Sequence, residues 1–220
     1  MKNKRFITRI FWIKYRNDVK RGGYNLYTKK QFAVIFFILF FTMTGCSNND
    51  FKGNMNDKVQ NFSYVNQNNQ KVNLKDLKGK VWIADFIFTN CKTVCPPMTY
   101  NLTQLQKKLK KAGVQDYLIV SFSVDPTKDT PQKLKEYIHK FDADESHWQL
   151  LTGYSQKEIQ KLAEKSFKTI AVPQPNSDQI MHGTSFYLVD KKGTVVKSYS
   201  GNQDVPFDEI VKDIKTLNKM

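Results

Sequence analysis

The sequence has little cysteine, histidine, glycine and proline. Its 220 residues include three cysteines, three histidines, ten glycines and seven prolines. Glycine and proline are too scarce for a collagen-like or low-complexity chain, and a hydrophobic fraction of 40% is too high for a disordered one. No apolar run reaches the roughly 20 residues that a membrane-spanning helix needs. We therefore expect a globular protein and not a multi-span membrane protein.

Excess charge of either sign is also scarce outside the first 45 residues. The whole chain carries 35 Lys+Arg and 20 Asp+Glu, a formal net charge of +15. Residues 1–45 contribute ten Lys/Arg and one Asp to this total, so the rest of the chain carries only +6. A remainder of this size, with interspersed acids, is typical of an ordinary solvated surface. The charge therefore predicts no nucleic-acid partner.

The longest apolar run lies at residues 32–43, just after two lysines. Its twelve residues suit the central region of a signal peptide, and they lead into Met43-Thr44-Gly45-Cys46, which resembles a bacterial lipobox. We therefore predict a lipoprotein signal peptide at residues 1–45, lipid attachment at Cys46, and a protein anchored on the extracytoplasmic face of the bacterial cell membrane. Two alternatives remain: an uncleaved signal anchor without a lipid on Cys46, and, because the leader is long, a translation start near Leu26.

The rest of the chain divides into a short polar segment and one domain. Residues 46–58 are polar and aperiodic, which is typical of a tether, and residues 59–220 have the length of one domain. In the domain, strand-like apolar runs alternate with helix-like stripes, and the Asn-rich stretch 66–69 indicates the turn of an N-terminal hairpin. The alternation predicts an α/β fold, a central mixed sheet flanked by helices. The predicted strands are 81–88, 117–124, 184–189 and 194–199, and a loop is predicted at 168–180. The helical stripes begin at Met98, at Leu134 (reaching to Phe141), at Ile159 and at Phe207. Thr130 is predicted to cap the second helix, and Ser155 with Glu158 to form a capping box for the third.

Two cysteines, Cys91 and Cys95, are separated by three residues at a predicted strand-to-helix junction. Residues four apart lie on one face of a helix, so both sulfurs can reach the same point. The free N–H groups and the dipole at a helix N-terminus favour the thiolate, which is the better metal ligand and nucleophile. On its own, this spacing does not exclude a structural disulfide.

Three segments, in this order, resemble the Sco (SenC) family. They are Phe88–Met98 (FTNCKTVCPPM), Ser123–Pro131 (SVDPTKDTP) and Met181–Gly193 (MHGTSFYLVDKKG). Members of this family are thioredoxin-fold proteins that deliver copper to cytochrome c oxidase, and the match spans nearly all of the mature chain. The resemblance implies a thioredoxin-like fold. It also implies one copper ion, Cu(I) or Cu(II), held by Cys91, Cys95 and His182, with Asp125 in a supporting role beside it.

The chemistry of the three proposed ligands is consistent with copper. Two thiolates and an imidazole form a soft donor set that suits Cu(I), and they also hold Cu(II) together with one or two further donors. Zinc accepts the same ligands, so the choice of metal follows from the resemblance and not from the residues. The two other histidines, His139 and His147, are interpreted as surface or partly buried residues without a metal role.

A carboxylate lies inside the predicted apolar strand 81–88. Asp85 precedes Cys91 by six residues, the offset of the buried aspartate in thioredoxins, and burial raises the pKa of a carboxyl group. One hypothesis is that Asp85 accepts the proton of Cys95 during thiol–disulfide exchange. The other is a hydrogen-bonded strand-end residue with no catalytic role. Asp125, in turn, could be a plain turn residue before a proline.

The main functional hypothesis is a membrane-tethered copper chaperone. By resemblance, its client is the dinuclear copper centre of cytochrome c oxidase subunit II. Cys91 and Cys95 would bind copper when reduced and could also reduce the client's cysteines, with a thiol reductant protein as a further partner. The first alternative is an enzyme, a thiol-disulfide oxidoreductase or peroxidase-like thioredoxin relative without a metal role, for which His182 is dispensable. The second is a lipoprotein with a purely structural disulfide, although the short loop that it closes makes a large stabilisation unexpected.

Overall fold

A computed structural model describes residues 51–220. In this part of the chain the strands are β1 (Asp57–Lys58), β2 (Ser63–Asn66), β3 (Lys71–Asn73), β4 (Trp82–Ile87), β5 (Leu118–Ser123), β6 (Trp148–Thr152), β7 (Ala171–Pro173), β8 (Ile180–His182), β9 (Ser185–Val189) and β10 (Thr194–Ser200). The α-helices are α1 (Cys95–Lys111), α2 (Pro131–Ile138), α3 (Gln156–Phe167) and α4 (Phe207–Lys219), and short 3-10 helices lie at Leu74–Leu77, His139–Phe141 and Glu145–His147. None of the helices in residues 51–220 has the length and apolar character of a membrane span. The predicted signal peptide and Cys46 lie outside the described residues.

Eight of the strands form one mixed sheet, in the order β1-β10-β9-β4-β5-β6-β2-β3. β4, β5 and β6 run parallel, and the other neighbours in the sheet are antiparallel. Every residue of β4 is buried, as in a strand that is covered on both faces. The predicted α/β fold with a central mixed sheet and an N-terminal hairpin, β2–β3, is therefore confirmed. Because β4 and β5 are parallel, the loops that follow them leave the same edge of the sheet.

The helices follow the predicted stripes and caps closely. The stripe of α1 is fully buried and consists of Met98, Leu102, Leu105 and Leu109. The Thr130 side chain accepts a hydrogen bond at the start of α2, and Ser155 with Glu158 forms the predicted capping box of α3. α2 is shorter than its predicted stripe, since it ends at Ile138 and continues as a 3-10 turn that leaves Phe141 only partly buried.

Aromatic side chains fill the centre of the domain around β4 and β5. Ring centroids 5.3 to 6.2 Å apart connect one cluster. Its members are Phe62, Phe86, Phe122, Phe167 and Tyr187. Edge-to-face contacts of this kind stabilise a core beyond the area that they bury, so the strands that carry the site loops are rigidly supported.

Eight residues assigned to the tether, 51–58, lie along the edge of the sheet instead. β1 pairs with the start of β10, and the N–H groups of Asn54 and Met55 both donate to the Val196 carbonyl at 3.1 Å. Phe51 packs against the core. The polar composition of this segment does not reveal the pairing, because the partner strand lies about 140 residues further along the chain.

The predicted loop 168–180 contains a strand, which corrects the sequence interpretation. β7 pairs antiparallel with β8, and together they form a separate two-stranded arm. The paired residues Val172 and Met181 are both exposed, whereas Ala171, Ile180 and His182 are buried, so the arm has one exposed and one buried face. Asn176 has φ 57° in the turn at the end of the arm. Strands of three residues without apolar alternation give no sequence signal.

Candidate metal centre

Three elements bring Cys91, Cys95 and His182 together near the edge where β4 ends. Cys91 lies in the loop after β4, Cys95 is the first residue of α1, and His182 is the last residue of β8. One ligand atom from each residue lies within 4.8 Å of the other two. Among the described residues this is the one group of three or more such side chains. The three residues are each less than 10% exposed.

The start of α1 is built around the sulfur of Cys91. The N–H of Cys95 donates to Cys91 Sγ at 3.3 Å, the two prolines that follow have no N–H, and the N–H of Met98 donates to the Val94 carbonyl. The first turn of the helix therefore has no free backbone donor, although such donors are usual there. Cys91 itself precedes the helix. The four-residue spacing had suggested instead that both cysteines lie in the first turn of the helix. Its sulfur lies where the helix dipole favours negative charge.

The two thiols have opposite acid–base properties. The hydrogen bond from Cys95 holds the pKa of Cys91 well below the usual value of a thiol, and further hydrogen bonds from backbone N–H groups act in the same direction. Burial raises the pKa of Cys95, and the neighbouring Cys91 raises it further. At neutral pH the pair therefore consists of a Cys91 thiolate and a Cys95 thiol.

The imidazole of His182 is oriented by its own backbone. Nδ1 lies 2.9 Å from the Gly183 carbonyl, which can only accept, so the N–H of a neutral ring is at Nδ1. Nε2 then points to Cys95 Sγ at 3.2 Å with a free lone pair. The ring also meets Phe88 edge-on, with 5.8 Å between centroids. Such a hydrogen bond on the second ring nitrogen is usual for histidines that bind metals.

Packing next to His182 is close at Gly183. A Cβ on Gly183 would clash with Thr169 Oγ1 and lie 3.3 Å from the hydroxyl oxygen of Tyr187. A side chain at this position would therefore require Thr169 to rotate or the chain to shift where β8 turns into β9. Together, two sulfurs and one imidazole nitrogen with an available lone pair fit a single soft metal ion.

Asp85 is fully buried in β4, opposite Ser121 of β5 in the parallel register. Ser121 Oγ donates to Asp85 Oδ1 at 2.5 Å and accepts from the Trp148 indole N–H at 2.9 Å, while Asp85 Oδ2 has no hydrogen-bond partner in the described structure. Burial raises the pKa of Asp85 to about 7, and the hydrogen bond from Ser121 opposes this rise. Asp85 also interacts electrostatically with Cys95 and raises the pKa of that thiol.

Asp125 is not part of the group of three ligands. It is buried after β5, its carboxylate accepts from Thr127 Oγ1 at 2.9 Å, and it lies 3.5 Å from Lys128 Nζ. It lines a cleft of about 250 Å³ together with residues of the β7–β8 arm, including Ile180. These contacts place Asp125 beside the element that carries His182.

The other two histidines make ordinary polar contacts. His139 Nε2 lies 2.7 Å from Glu145, and His147 Nε2 lies 3.1 Å from the Gln115 carbonyl. His147 also stacks on the Tyr117 ring with 4.8 Å between centroids. Neither histidine belongs to a group of three metal-binding side chains among the described residues.

A sequence model of the SCO1/SenC family matches residues 52–219, nearly all of the described domain. The chain belongs to this family. It is 44% identical over 183 residues to a Bacillus subtilis protein named SCO1 protein homolog, with 83% of this chain and 94% of the relative covered. The resemblance that the three sequence segments carry is therefore confirmed.

Solved structures of Sco proteins share the fold. BsSco, described as a member of the Sco family of cytochrome c oxidase assembly proteins with a disulfide switch, is 48% identical and superposes with a TM-score of 0.71 over 77% of this chain and 98% of its own. Arabidopsis thaliana ScoI, solved with copper bound, is 32% identical, with a TM-score of 0.61 over 71% of this chain and 97% of its own. The predicted thioredoxin-like α/β fold is confirmed.

Proposed function

We propose that this Sco-family protein is a copper chaperone for the assembly of cytochrome c oxidase. The observation that carries the proposal is the convergence of Cys91, Cys95 and His182, whose ligand atoms lie within 4.8 Å of one another. Two sulfurs and one nitrogen form a donor set that suits copper in both of its oxidation states. Support also comes from the relatives, since one is named for oxidase assembly and another was solved with copper.

Copper is the cargo in this proposal, with one ion per chain. Cys91 enters the site as a preformed thiolate, Cys95 releases its proton when the ion binds, and His182 offers Nε2. Asp125 has a supporting role, because it holds the loop that faces the His182 arm. The burial of all three ligands excludes bulk water, which slows loss of the ion before the client is reached. The client is the dinuclear copper centre of cytochrome c oxidase subunit II.

The same two cysteines can prepare the client for metal by reducing its disulfide. The Cys91 thiolate attacks one sulfur of the client disulfide and forms a mixed disulfide, and Cys95 then displaces the client's remaining sulfur. Two electrons pass to the client, whose two sulfurs leave as thiolates that solvent can protonate, and Cys91 and Cys95 become a disulfide that a thiol reductant protein must reduce. Asp85 accepts the proton of Cys95 in the second step. Asp85→Asn should slow this reduction and leave copper affinity nearly unchanged, whereas equal loss of both contradicts the proton-transfer role.

The location that we propose is the extracytoplasmic face of the bacterial cell membrane. Its basis is the signal-peptide and lipobox pattern, with the lipid on Cys46. A shared membrane surface raises the effective concentration of chaperone and client for each other, as two linked binding partners do. Metabolic labelling with a radioactive fatty acid, compared between the wild type and Cys46→Ser, tests the anchor; equal labelling of both proteins contradicts it.

The central test is a copper titration of the reduced, purified full-length chain. We expect one tightly bound ion and, with Cu(II), a thiolate-to-copper absorption band. His182→Ala should weaken binding and diminish the band, while the matched variant His139→Ala should behave like the wild type, because His139 forms an ion pair with Glu145 and belongs to no metal-binding group within residues 51–220. Binding that is indifferent to His182, or no saturable binding, would instead support the thiol-disulfide oxidoreductase, for which the buried Asp85 is the favouring observation.

A further inference from the structure

A buried carboxylate outside the ligand group, Asp129, connects two of the sequence segments that characterise the site. It is 1% exposed and accepts hydrogen bonds from Thr89 Oγ1 at 2.6 Å, from the Thr89 N–H at 3.2 Å and from Ser123 Oγ at 2.6 Å. Thr89 lies two residues before Cys91, and Ser123 is the last residue of β5. Burial raises the pKa of Asp129, and the hydrogen bonds from Ser123 and Thr89 oppose this rise because they stabilise the carboxylate. Asp129 therefore ties the cysteine loop to the end of β5.

The network extends from this carboxylate to Asp125. Ser123 Oγ donates to Asp129 and accepts from the Asp125 N–H at 3.1 Å, so one hydroxyl connects both aspartates. Asp129 is itself held in position, because its backbone carbonyl accepts from Thr152 Oγ1 of β6 at 2.7 Å and the next residue, Thr130, caps α2. The carboxylate is thus a fixed acceptor that several elements support, and not an adaptable surface group.

The cysteine loop needs such a restraint. Residues 88–94 contain no helix or strand, and, apart from the ring contact of Phe88 with His182, they reach the arm through exposed hydrogen bonds between Asn90 and the pair Asp178 and Gln179. Exposed hydrogen bonds of this kind compete with water and restrain a loop weakly. The bonds from Thr89 to Asp129 are part-buried, and the one from the Thr89 hydroxyl is the shortest of the set at 2.6 Å, so they fix the point from which the loop approaches α1.

We propose that Asp129 is a positioning residue for the metal centre. By holding Thr89 it sets the position of Cys91, and thereby the separation of the two sulfurs from each other and from His182. The inference rests on the proposed function only in naming copper as the ion. Asp129 touches neither the ion nor the three ligands, and it acts through the loop.

The test compares two variants of the full-length chain that remove different hydrogen bonds at the same residue. Asp129→Asn retains one acceptor oxygen and turns an NH2 group towards Thr89 or Ser123, while the control Thr152→Val removes only the bond to the backbone carbonyl of Asp129. In the metal-free protein, Asp129→Asn should speed hydrogen exchange of the Cys91 and Cys95 amides about tenfold or more relative to β4 amides. It should also raise the copper dissociation constant about 10- to 100-fold. Thr152→Val should leave both quantities within about twofold of the wild type.

A double variant establishes whether the effect passes through Thr89. Thr89→Val alone should weaken copper binding, Thr89→Ser should not, and Thr89→Val combined with Asp129→Asn should be no weaker than Asp129→Asn alone. The inference is overturned if the losses of copper affinity in Thr89→Val and Asp129→Asn multiply in the double variant. It is also overturned if Asp129→Asn and Thr152→Val have equal effects. If Asp129→Asn does not fold, the Thr89→Val and Thr89→Ser comparison decides the same point. Failure of the wild type to bind copper overturns the proposed function instead, while the exchange measurement on the metal-free chain still decides the role of Asp129.

Discussion

At the scale of single residues, the site works through differences that neighbours impose on chemically identical groups. Cys91 and Cys95 are both thiols, yet one lies at a helix start among hydrogen-bond donors and the other is fully buried beneath it. The same contrast holds for carboxyl groups, since Asp125 pairs with Lys128 while Asp85 has no cation within ion-pair distance among the described residues. Environment, and not residue type, therefore sets the acid–base properties of these side chains.

The lowered pKa of Cys91 makes a prediction about its reactivity. The rate of alkylation by iodoacetamide should change little between pH 6 and pH 8, because the thiolate is already formed, whereas an ordinary thiol gains about tenfold in rate per pH unit in this range. Peptide mapping by mass spectrometry at each pH measures the rate at Cys91 separately from the other cysteines. Free glutathione in the same solution is the control.

Substitution of Cys95 tests whether its hydrogen bond causes the lowered pKa of Cys91. Cys95→Ala removes the hydrogen bond to Cys91, so the pKa of Cys91 should rise and the pH dependence of alkylation should return. Cys95→Ser keeps a donor and should behave closer to the wild type. Identical pH profiles for the alanine variant and the wild type would contradict the assignment of the shift to this hydrogen bond.

Asp85 makes a prediction about stability. Its pKa of about 7 in the folded protein is above the 3.8 of an ordinary aspartate, so the folded state binds this proton more tightly than the unfolded state. The titration of Asp85 therefore leaves the free energy of unfolding unchanged below about pH 4. As the pH rises to 7, it lowers that free energy by on the order of 4 kcal/mol. Asp85→Asn should match the wild type near pH 4 and be more stable at pH 8. Urea unfolding at both pH values measures this.

A variant of Ser121, the hydrogen-bond donor to Asp85, provides a second test. The hydrogen bond from Ser121 lowers the pKa of Asp85, so Ser121→Ala should raise that pKa further and extend the pH-dependent loss of stability to higher pH. A wild type and an Asp85→Asn variant whose free energies of unfolding differ by the same amount at pH 4 and pH 8 would show that Asp85 does not titrate as burial predicts.

At the scale of elements, the arm formed by β7 and β8 is what completes the ligand set. α1 and the loop after β4 supply two sulfurs, but His182 arrives from a hairpin outside the main sheet. The arm is attached to the cysteine loop through Asn90 and Asp178, 2.8 Å apart, and it joins β9 through the tightly packed Gly183. The geometry of the site therefore depends on the fixed direction of a short and largely exposed element.

Gly183 provides the sharpest test of that dependence. A Cβ in Gly183→Ala would clash with Thr169 Oγ1, so the arm must shift or Thr169 must rotate, and His182 moves away from the sulfurs. We expect a copper dissociation constant raised about tenfold, measured by competition with a chelator. Thr169→Ala removes the clashing oxygen, so the double variant should recover most of the affinity. Undiminished affinity in Gly183→Ala alone would show that the packing at Gly183 does not position His182.

Elements that depend on residues close together in the chain could be predicted from the sequence, and those that depend on distant residues could not. The stripe of α1 and the capping box of Ser155 and Glu158 are local patterns, and both are confirmed. The arm and the docked segment 51–58 were missed, because their pairing is short or joins residues far apart in the chain. Asp129 lies within a recognised segment, yet its role emerges only when Thr89 and Ser123 meet it in the fold. The ligand set itself came from the family resemblance and not from the pattern alone.

At the scale of the whole molecule, the metal ion would cross-link parts of the chain that are far apart. Cys91 and Cys95 are held at the central core by β4 and α1. His182 lies 87 residues after Cys95, where the arm joins β9. A ligand that binds only the folded arrangement stabilises it by mass action. Copper should therefore stabilise the entire domain, and the arm more than the rest.

The last prediction is the size and the specificity of that stabilisation. At a free copper concentration about 100 times the dissociation constant, binding adds about 2.7 kcal/mol, which for a domain of this length corresponds to a rise in Tm of roughly 5 to 10 °C. Calorimetry of the reduced chain with and without Cu(I) measures the shift, and a Cu(I) chelator should reverse it. His182→Ala should reduce the rise, because the two sulfurs alone cross-link only neighbouring residues. A rise of equal size in a Cys91→Ser/Cys95→Ser variant would place the stabilising ion at another site and contradict the three-ligand centre.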